Sequence, residues 1–99
     1  MQVVDLPLPG LKLLKPQVFR DGRGYFLESY RRQRSSELGI DVEFVQDNHS
    51  HSIQGSLRGL HFQSTPGQAK LLRVASGRIW DVAVDIRPDS PSFGRWYGT

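Results

Sequence analysis

The longest alternating run in the chain, Ile79-Trp80-Asp81-Val82-Ala83-Val84-Asp85-Ile86-Arg87, repeats with a period of two and stops at Pro88. Successive strand residues point to opposite faces, so Trp80, Val82, Val84 and Ile86 share one face while Asp81, Ala83 and Asp85 share the other. Proline following the run removes a ladder donor and restricts the residue before it. The rest of the sequence repeats this grammar in shorter pieces. After Gly10, Leu11 to Phe19 reads as a strand, Asp21-Gly22-Arg23-Gly24 as a turn, and the aromatic-rich Tyr25 to Tyr30 as its return. Val42 to Val45, Gly59 to Gln63, Leu71 to Val74 and Phe93 to Tyr97 add further short strands. One exception stands out. Arg31 to Leu38 is built from helix formers and is followed by Gly39 at the C′ position, which predicts a single short helix near 31–38. Short strands separated by turn signals every 8 to 12 residues or so predict an all-β sandwich or barrel rather than a parallel sheet.

No internal repeat or low-complexity linker divides the sequence, so its 99 residues are read as a single domain, 1–99. A chain of this size buries less surface than the roughly 68 to 70% reached by 150 residues, and a partner or a continuation would help it. Its last residues, Gly98-Thr99, fall in mid-strand on this reading, so an unpaired edge is expected unless something follows. With 37% hydrophobic and 23% charged residues the composition is that of a soluble globular chain. No apolar run nears the roughly 20 residues of a membrane span. The start lacks the charged-then-apolar order of a secretory signal, which makes a cytoplasmic address the default expectation. The absence of cysteine excludes disulfides, thiolate catalysis and thiolate-ligated zinc. A net charge of +3 raises the question of nucleic acid. The densest basic run, Arg31-Arg32-Gln33-Arg34, lies close to Glu28 and Glu37 and sits in no recognisable nucleic-acid module, so it is read as a solvated helix face. No nucleic-acid or membrane partner is expected.

Chemistry-bearing side chains concentrate between Gln46 and Gln63, in Gln46-Asp47-Asn48-His49-Ser50-His51 and Arg58-Gly59-Leu60-His61-Phe62-Gln63. Gln46 and Asn48 would share a strand face, as would His61 and Gln63. Polar groups facing a barrel interior are costly unless bonded, so the set marks either a polar cavity or the solvent face. His49 and His51 begin a metal site without a third ligand at suitable spacing; an exposed or capping role is the other reading. Histidine titrates near neutrality, which makes His61 either a structural residue or a base. Lys70 and Arg58 would stabilise a developing oxyanion if they lined a site, and are otherwise surface cations.

Val45-Gln46-Asp47-Asn48-His49-Ser50, followed by Leu57-Arg58-Gly59-Leu60-His61-Phe62-Gln63, resembles the dTDP-4-dehydrorhamnose 3,5-epimerase family. Upstream, Phe19-Arg20-Asp21-Gly22-Arg23-Gly24-Tyr25-Phe26-Leu27-Glu28-Ser29 is similar to the same family. So are Lys70-Leu71-Leu72-Arg73-Val74, Gly77 to Arg87 and Ser90-Pro91-Ser92-Phe93-Gly94-Arg95-Trp96, all in the family's order. The resemblance implies the N-terminal part of a cupin-type jelly-roll β-barrel. It also implies an enzyme that inverts C3 and C5 of dTDP-4-dehydro-6-deoxyglucose, in dTDP-L-rhamnose biosynthesis, with no cofactor and no metal. The substrate's C4 ketone makes the protons on C3 and C5 acidic, because the carbanion left behind is an enolate. By the same resemblance His61 is the catalytic base and Lys70 lies near the enolate oxygen. Arg58, Arg23, Glu28, Gln46, Asp47 and Asn48 become substrate-binding residues, with arginine suited to a diphosphate through its forked donors. Metal-dependent cupins carry a His-x-His pair where this chain has His61-Phe62-Gln63, and no glutamate follows to serve as a further ligand.

The family's dimers exchange N-terminal strands, which implies a homodimer in which Arg23 and Glu28 complete the neighbouring subunit's site. In the family the chain continues beyond the position of Thr99, where a proton-donating tyrosine and an aspartate that orients the histidine are found. Two functional readings follow: an epimerase whose remaining barrel lies outside these residues, or a non-catalytic β-domain that binds a nucleotide-sugar or a partner subunit.

Overall fold

The computed structural model describes residues 1–99, which form three separate antiparallel two-stranded sheets and one short helix. β1 (Gln2–Asp5) pairs with β2 (Lys12–Lys15), β3 (Val18–Asp21) with β4 (Gly24–Leu27), and β5 (Val82–Val84) with β6 (Trp96–Gly98). The helix, α1 (Arg32–Glu37), follows β4. The all-β expectation with one helix holds at this level. A closed barrel is not seen, because each sheet ends after two strands.

Proline sets the first departure from the sequence reading. The predicted strand Leu11 to Phe19 is two strands of different sheets, β2 and β3, with Pro16 between them. β1 is a strand that the alternation search passed over; its register sets Asp5 opposite Lys12, and the two side chains form an ion pair. The connector between β1 and β2 holds Leu8, the one buried apolar residue, at 5% exposure. In the β3–β4 hairpin the predicted turn is correct: Asp21 faces Gly24 across the ladder. The Asp21 carboxylate accepts the Arg23 backbone N–H at 2.8 Å, the Asx device that tightens such turns.

α1 ends as Gly39 requires. Gly39 has φ of 78°, and the backbone N–H groups of Gly39 and Ile40 donate to the carbonyls of Ser36 and Ser35. These two bonds are the Schellman pair that satisfies carbonyls at a helix end, and only a residue tolerant of positive φ sits there without strain. The basic run is a solvated helix face whose cations are paired, Arg31 with Glu28, Arg32 with Glu43 and Arg34 with Glu37. Tyr30 and Phe44 meet edge to face at 5.4 Å, fixing the chain on either side of the helix.

The expected strands at Val42 to Val45, Gly59 to Gln63 and Leu71 to Val74 do not form ladders. A strand needs a neighbour to take its backbone hydrogen bonds, and none lies alongside these segments. Val45, Leu60, Phe62, Leu72 and Val74 stand exposed in consequence. The long run from Ile79 to Arg87 contributes β5, lengthened at both ends by backbone bonds between Asp81 and Thr99 and between Asp85 and Arg95. Its return strand falls at Trp96–Gly98 rather than at Phe93 to Tyr97, because Phe93 and Gly94 are used by the turn. The apolar face of this ladder is uncovered, with Trp80 at 70% exposure.

The opposite face carries a closed polar cluster. The Asp85 side chain is 1% exposed, and Oδ1 accepts the Arg87 backbone N–H at 3.1 Å and Arg87 Nε at 2.8 Å. Oδ2 accepts Arg87 Nη2 at 2.9 Å and the hydroxyls of Ser90 and Ser92 at 2.5 Å each. Arg87 Nη2 also donates to the Pro9 carbonyl at 2.9 Å, tying the β1–β2 connector to the β5–β6 connector.

Candidate active site

The segment from Gln46 to His61 carries most of the predicted site and is built by local devices. Gln46 Nε2 donates to Asn48 Oδ1 at 3.1 Å, so the two side chains share a face as their spacing predicts. Asp47 between them is exposed. Beyond Asn48 the chain reverses through a turn closed by the Ser56 N–H on the Ile53 carbonyl at 3.2 Å. Gly55 supplies the positive φ, 84°, that this reversal needs. The reversal returns Arg58 to the start of the loop, where its Nε donates to Ser52 Oγ at 2.9 Å and its Nη2 to the His51 carbonyl at 3.2 Å. Next in sequence, the His61 ring turns back toward Gly59: a Cβ on that glycine would sit 3.6 Å from His61 Nδ1, in ordinary contact. Arg58 and His61 therefore flank one glycine, a cation and an imidazole on the same short stretch of chain.

Arg23 and Glu28 belong to the β3–β4 hairpin. Arg23 stands at the turn with its side chain 91% exposed, held to Asp21 by Nη2 at 2.7 Å and Nε at 3.3 Å. The Arg23 guanidinium, followed by its backbone N–H, holds the Asp21 carboxyl below its ordinary value of 3.8. Glu28 follows β4 and pairs with Arg31 at 3.2 Å. It lines an open recess of about 360 Å³ together with Phe19, Phe26, Arg31 and Arg34. A second recess, of about 310 Å³, lies beside Arg23, Arg20 and Tyr25, with the Arg20 guanidinium 5.5 Å from the Tyr25 ring centre. Both recesses combine aromatic rings with guanidinium groups, a pairing suited to planar or anionic ligands. Lys70 is exposed on the stretch between Gln63 and Leu71.

The candidates thus fall into separate groupings: Gln46 with Asn48, Arg58 and His61 about Gly59, Arg23 at the hairpin turn beside one recess, and Glu28 past the end of β4 beside the other. None of the side-chain hydrogen bonds or ion pairs joins one grouping to another or to Lys70. No three His, Asp or Glu side chains lie close enough together to hold a metal ion. No helix is long and apolar enough to cross a membrane. Sequence reasoning passed over the residues that hold the candidates in place, namely Asp21, Arg31 and Ser52. The spacings Asp21-Gly22-Arg23 and Glu28 to Arg31 carried a signal for two of them; nothing in the sequence pattern marked Ser52.

The profile of a family described as dTDP-4-dehydrorhamnose 3,5-epimerase matches residues 5–99. Among curated proteins, the dTDP-4-dehydrorhamnose 3,5-epimerase of Neisseria gonorrhoeae is 54% identical over 98 residues, covering 99% of this chain and 30% of that protein. The Salmonella typhimurium epimerase is 53% identical over 100 residues, covering 99% of this chain and 55% of its own length. Among solved structures, the Bacillus anthracis epimerase with TDP and PPi bound superposes with a TM-score of 0.94 at 47% identity, over 99% of this chain and 57% of that one. The Legionella pneumophila enzyme in complex with dTDP-4-keto-L-rhamnose gives 0.93 at 47% identity, over 99% and 53%. This chain thus spans about a third to somewhat over half the length of these proteins. Matched by the profile over nearly all its residues and by these enzymes in both sequence and backbone, the chain belongs to the dTDP-4-dehydrorhamnose 3,5-epimerase family, a family of isomerases.

Proposed function

We propose that this chain carries the proton-abstracting and substrate-gripping side of an epimerase acting on a dTDP-4-keto-6-deoxy sugar. The observation that carries the reading is the near-superposable Legionella enzyme, whose structure holds dTDP-4-keto-L-rhamnose. The arrangement of Arg58 and His61 around Gly59 supports it, because it sets a guanidinium able to hold the anionic part of the substrate beside an imidazole able to take a proton. In the proposed step the neutral His61 imidazole takes the proton from C3 or C5. The C–H electron pair becomes the C=C bond of the enolate, and the carbonyl π pair moves onto the C4 oxygen. The Lys70 ammonium stabilises that oxygen. Return of a proton to the opposite face of the carbon inverts the centre, and the acid that delivers it is assigned to the remainder of the barrel.

Arg58, Arg23, Glu28, Gln46, Asp47 and Asn48 bind the nucleotide-sugar, the arginines taking the diphosphate. The enzyme works as a homodimer in which exchanged N-terminal strands bring Arg23 and Glu28 to the neighbouring site. Within one chain neither Arg23 nor Glu28 shares a side-chain bond with the other candidate residues, as such an exchange would require.

The test is solvent deuterium exchange into dTDP-4-keto-6-deoxyglucose, followed by NMR at C3 and C5. Abstraction alone labels the substrate, so exchange by this chain would show His61 to be a competent base without the acid that returns the proton. His61→Ala should slow it by about 10²- to 10⁴-fold, the usual worth of a positioned base, while leaving dTDP affinity within a factor of about two. Exchange unchanged in His61→Ala would remove His61 from the mechanism. Nucleotide binding without any exchange in the folded wild-type chain would favour the non-catalytic binding domain.

A further inference from the structure

Arginine presents five N–H donors on two usable edges: a side edge formed by Nε–H with one N–H of Nη2, and an end edge formed by Nη1 with the other N–H of Nη2. In Arg58 the side edge is fully taken. Nε donates to Ser52 Oγ at 2.9 Å and Nη2 to the His51 carbonyl at 3.2 Å. Both acceptors lie at the start of the same loop, brought opposite Arg58 by the turn at Ile53 to Ser56. The end edge carries no protein partner, so its parallel N–H pair is left to the solvent side of the loop. A guanidinium held this way is pre-set for two oxygens of one phosphate or carboxylate, and a ligand binding it does not have to freeze the side chain first.

We propose that Ser52 is the positioning residue of the site. Its hydroxyl fixes the rotamer of Arg58 so that the end edge of the guanidinium receives the diphosphate of the substrate. The proposal rests on the reading of Arg58 as a substrate-binding residue. Ser52 makes no contact with the anion itself and acts only through Arg58. The hydroxyl is the needed chemistry: an acceptor of the right reach on a short side chain, which threonine retains and alanine lacks.

Two measurements test it on the intact chain. The first is the ¹⁵N-resolved Nε–H resonance of Arg58, assigned by its loss in Arg58→Lys. In the wild type its exchange with water is expected to be slowed by the bond to Ser52, with the protection lost in Ser52→Ala and kept in Ser52→Thr. The second is calorimetric titration with thymidine diphosphate. Ser52→Ala should weaken binding by about two- to tenfold, the usual worth of one pre-ordered long side chain, and Ser52→Thr should restore it. In an Arg58→Ala background, Ser52→Ala should add nothing, since its effect travels through the guanidinium. A far-UV spectrum and melting curve unchanged by Ser52→Ala separate this loss from loop unfolding. Arg58→Ala that binds as tightly as the wild type sinks the functional reading of Arg58 and this proposal with it. Arg58→Ala that weakens binding while Ser52→Ala does not overturns the positioning role alone. A Ser52→Ala effect that persists without Arg58 also overturns it.

Discussion

At the scale of single residues, the strongest local arrangement is around Asp85, which the alternation of its strand would place on a solvent face. Five hydrogen bonds, from the Arg87 backbone, the Arg87 guanidinium twice, Ser90 and Ser92, converge on its carboxylate. The bond to the Arg87 side chain is the largest cause holding this carboxyl far below its ordinary value of 3.8, with the two serines next. A carboxyl depressed by folding stabilises the fold in full above its unfolded value, and the contribution drains away as pH falls through that value toward the folded one. The network is therefore whole above about pH 5 and weakens progressively below about pH 4. Asp85→Asn keeps the shape and removes the charge. It should lower the melting temperature at neutral pH by several degrees and flatten the decline of melting temperature with acid. Parallel wild-type and Asp85→Asn curves between pH 2 and 6 would take Asp85 out of the acid response. The sequence offered Asp85, Arg87, Ser90 and Ser92 only as a motif; their closure around one carboxylate follows from the turn after β5, which alternation does not encode.

Elements were legible in proportion to how much of their bonding is local. α1 and its Gly39 stop, and the β3–β4 turn, depend on neighbours a few residues away, and they fall within a residue or so of the sequence reading. Val42 to Val45, Gly59 to Gln63 and Leu71 to Val74 have strand-like patterns but form no ladder, because a strand's hydrogen bonds come from a partner that pattern cannot supply. The same division applies to the site. The shared face of Gln46 and Asn48 was readable from spacing, whereas the return of Arg58 onto Ser52 depends on a loop closure. Where β5 and β6 do pair, one position is sterically exacting. A Cβ on Gly98 would overlap the Trp80 indole, reaching within 2.8 Å of Cε2, so the ring lies across the glycine backbone. Gly98→Ala should swing Trp80 off the ladder into water. Because the ring is already largely exposed and can move, the cost should stay below about 1 kcal/mol, under the usual range for overpacking a closed core. The sensitive readout is tryptophan emission, expected to shift to longer wavelength with the β-sheet circular dichroism retained. Unchanged emission would mean that the ring does not rest on Gly98.

For the whole molecule, surface is the deciding quantity. The chain exposes 8977 Å², whereas a self-contained monomer of 11.2 kDa is expected to expose about 5,700 Å². Its radius of gyration is 15.4 Å, against about 13 Å for a compact chain of 100 residues. The excess area, about 3,300 Å² on one chain, is above the roughly 1,000–2,500 Å² per partner that most permanent interfaces bury. Much of it is aromatic or aliphatic: Phe19, Tyr25, Phe26, Leu57, Leu60, Phe62, Trp80, Phe93 and Trp96 are all more than half exposed. Backbone bonding gives the same result independently. There are 27 backbone–backbone hydrogen bonds, where a folded chain of this length should hold about 65 to 70. Apolar area and unpaired backbone on this scale are together a strong drive to association, because both are relieved by the same event, the laying of another strand against an open edge. Taken alone at concentrations on the order of micromolar, the chain should sediment as a species heavier than 11.2 kDa and should enhance the fluorescence of an anilinonaphthalene dye. Charge on the edge strands opposes this weakly, since the net charge of +3 is small beside the apolar surface. A compact monomer with a radius of gyration near 13 Å and no dye binding would show that the three sheets close upon one another in solution, and would remove the need for any covering partner.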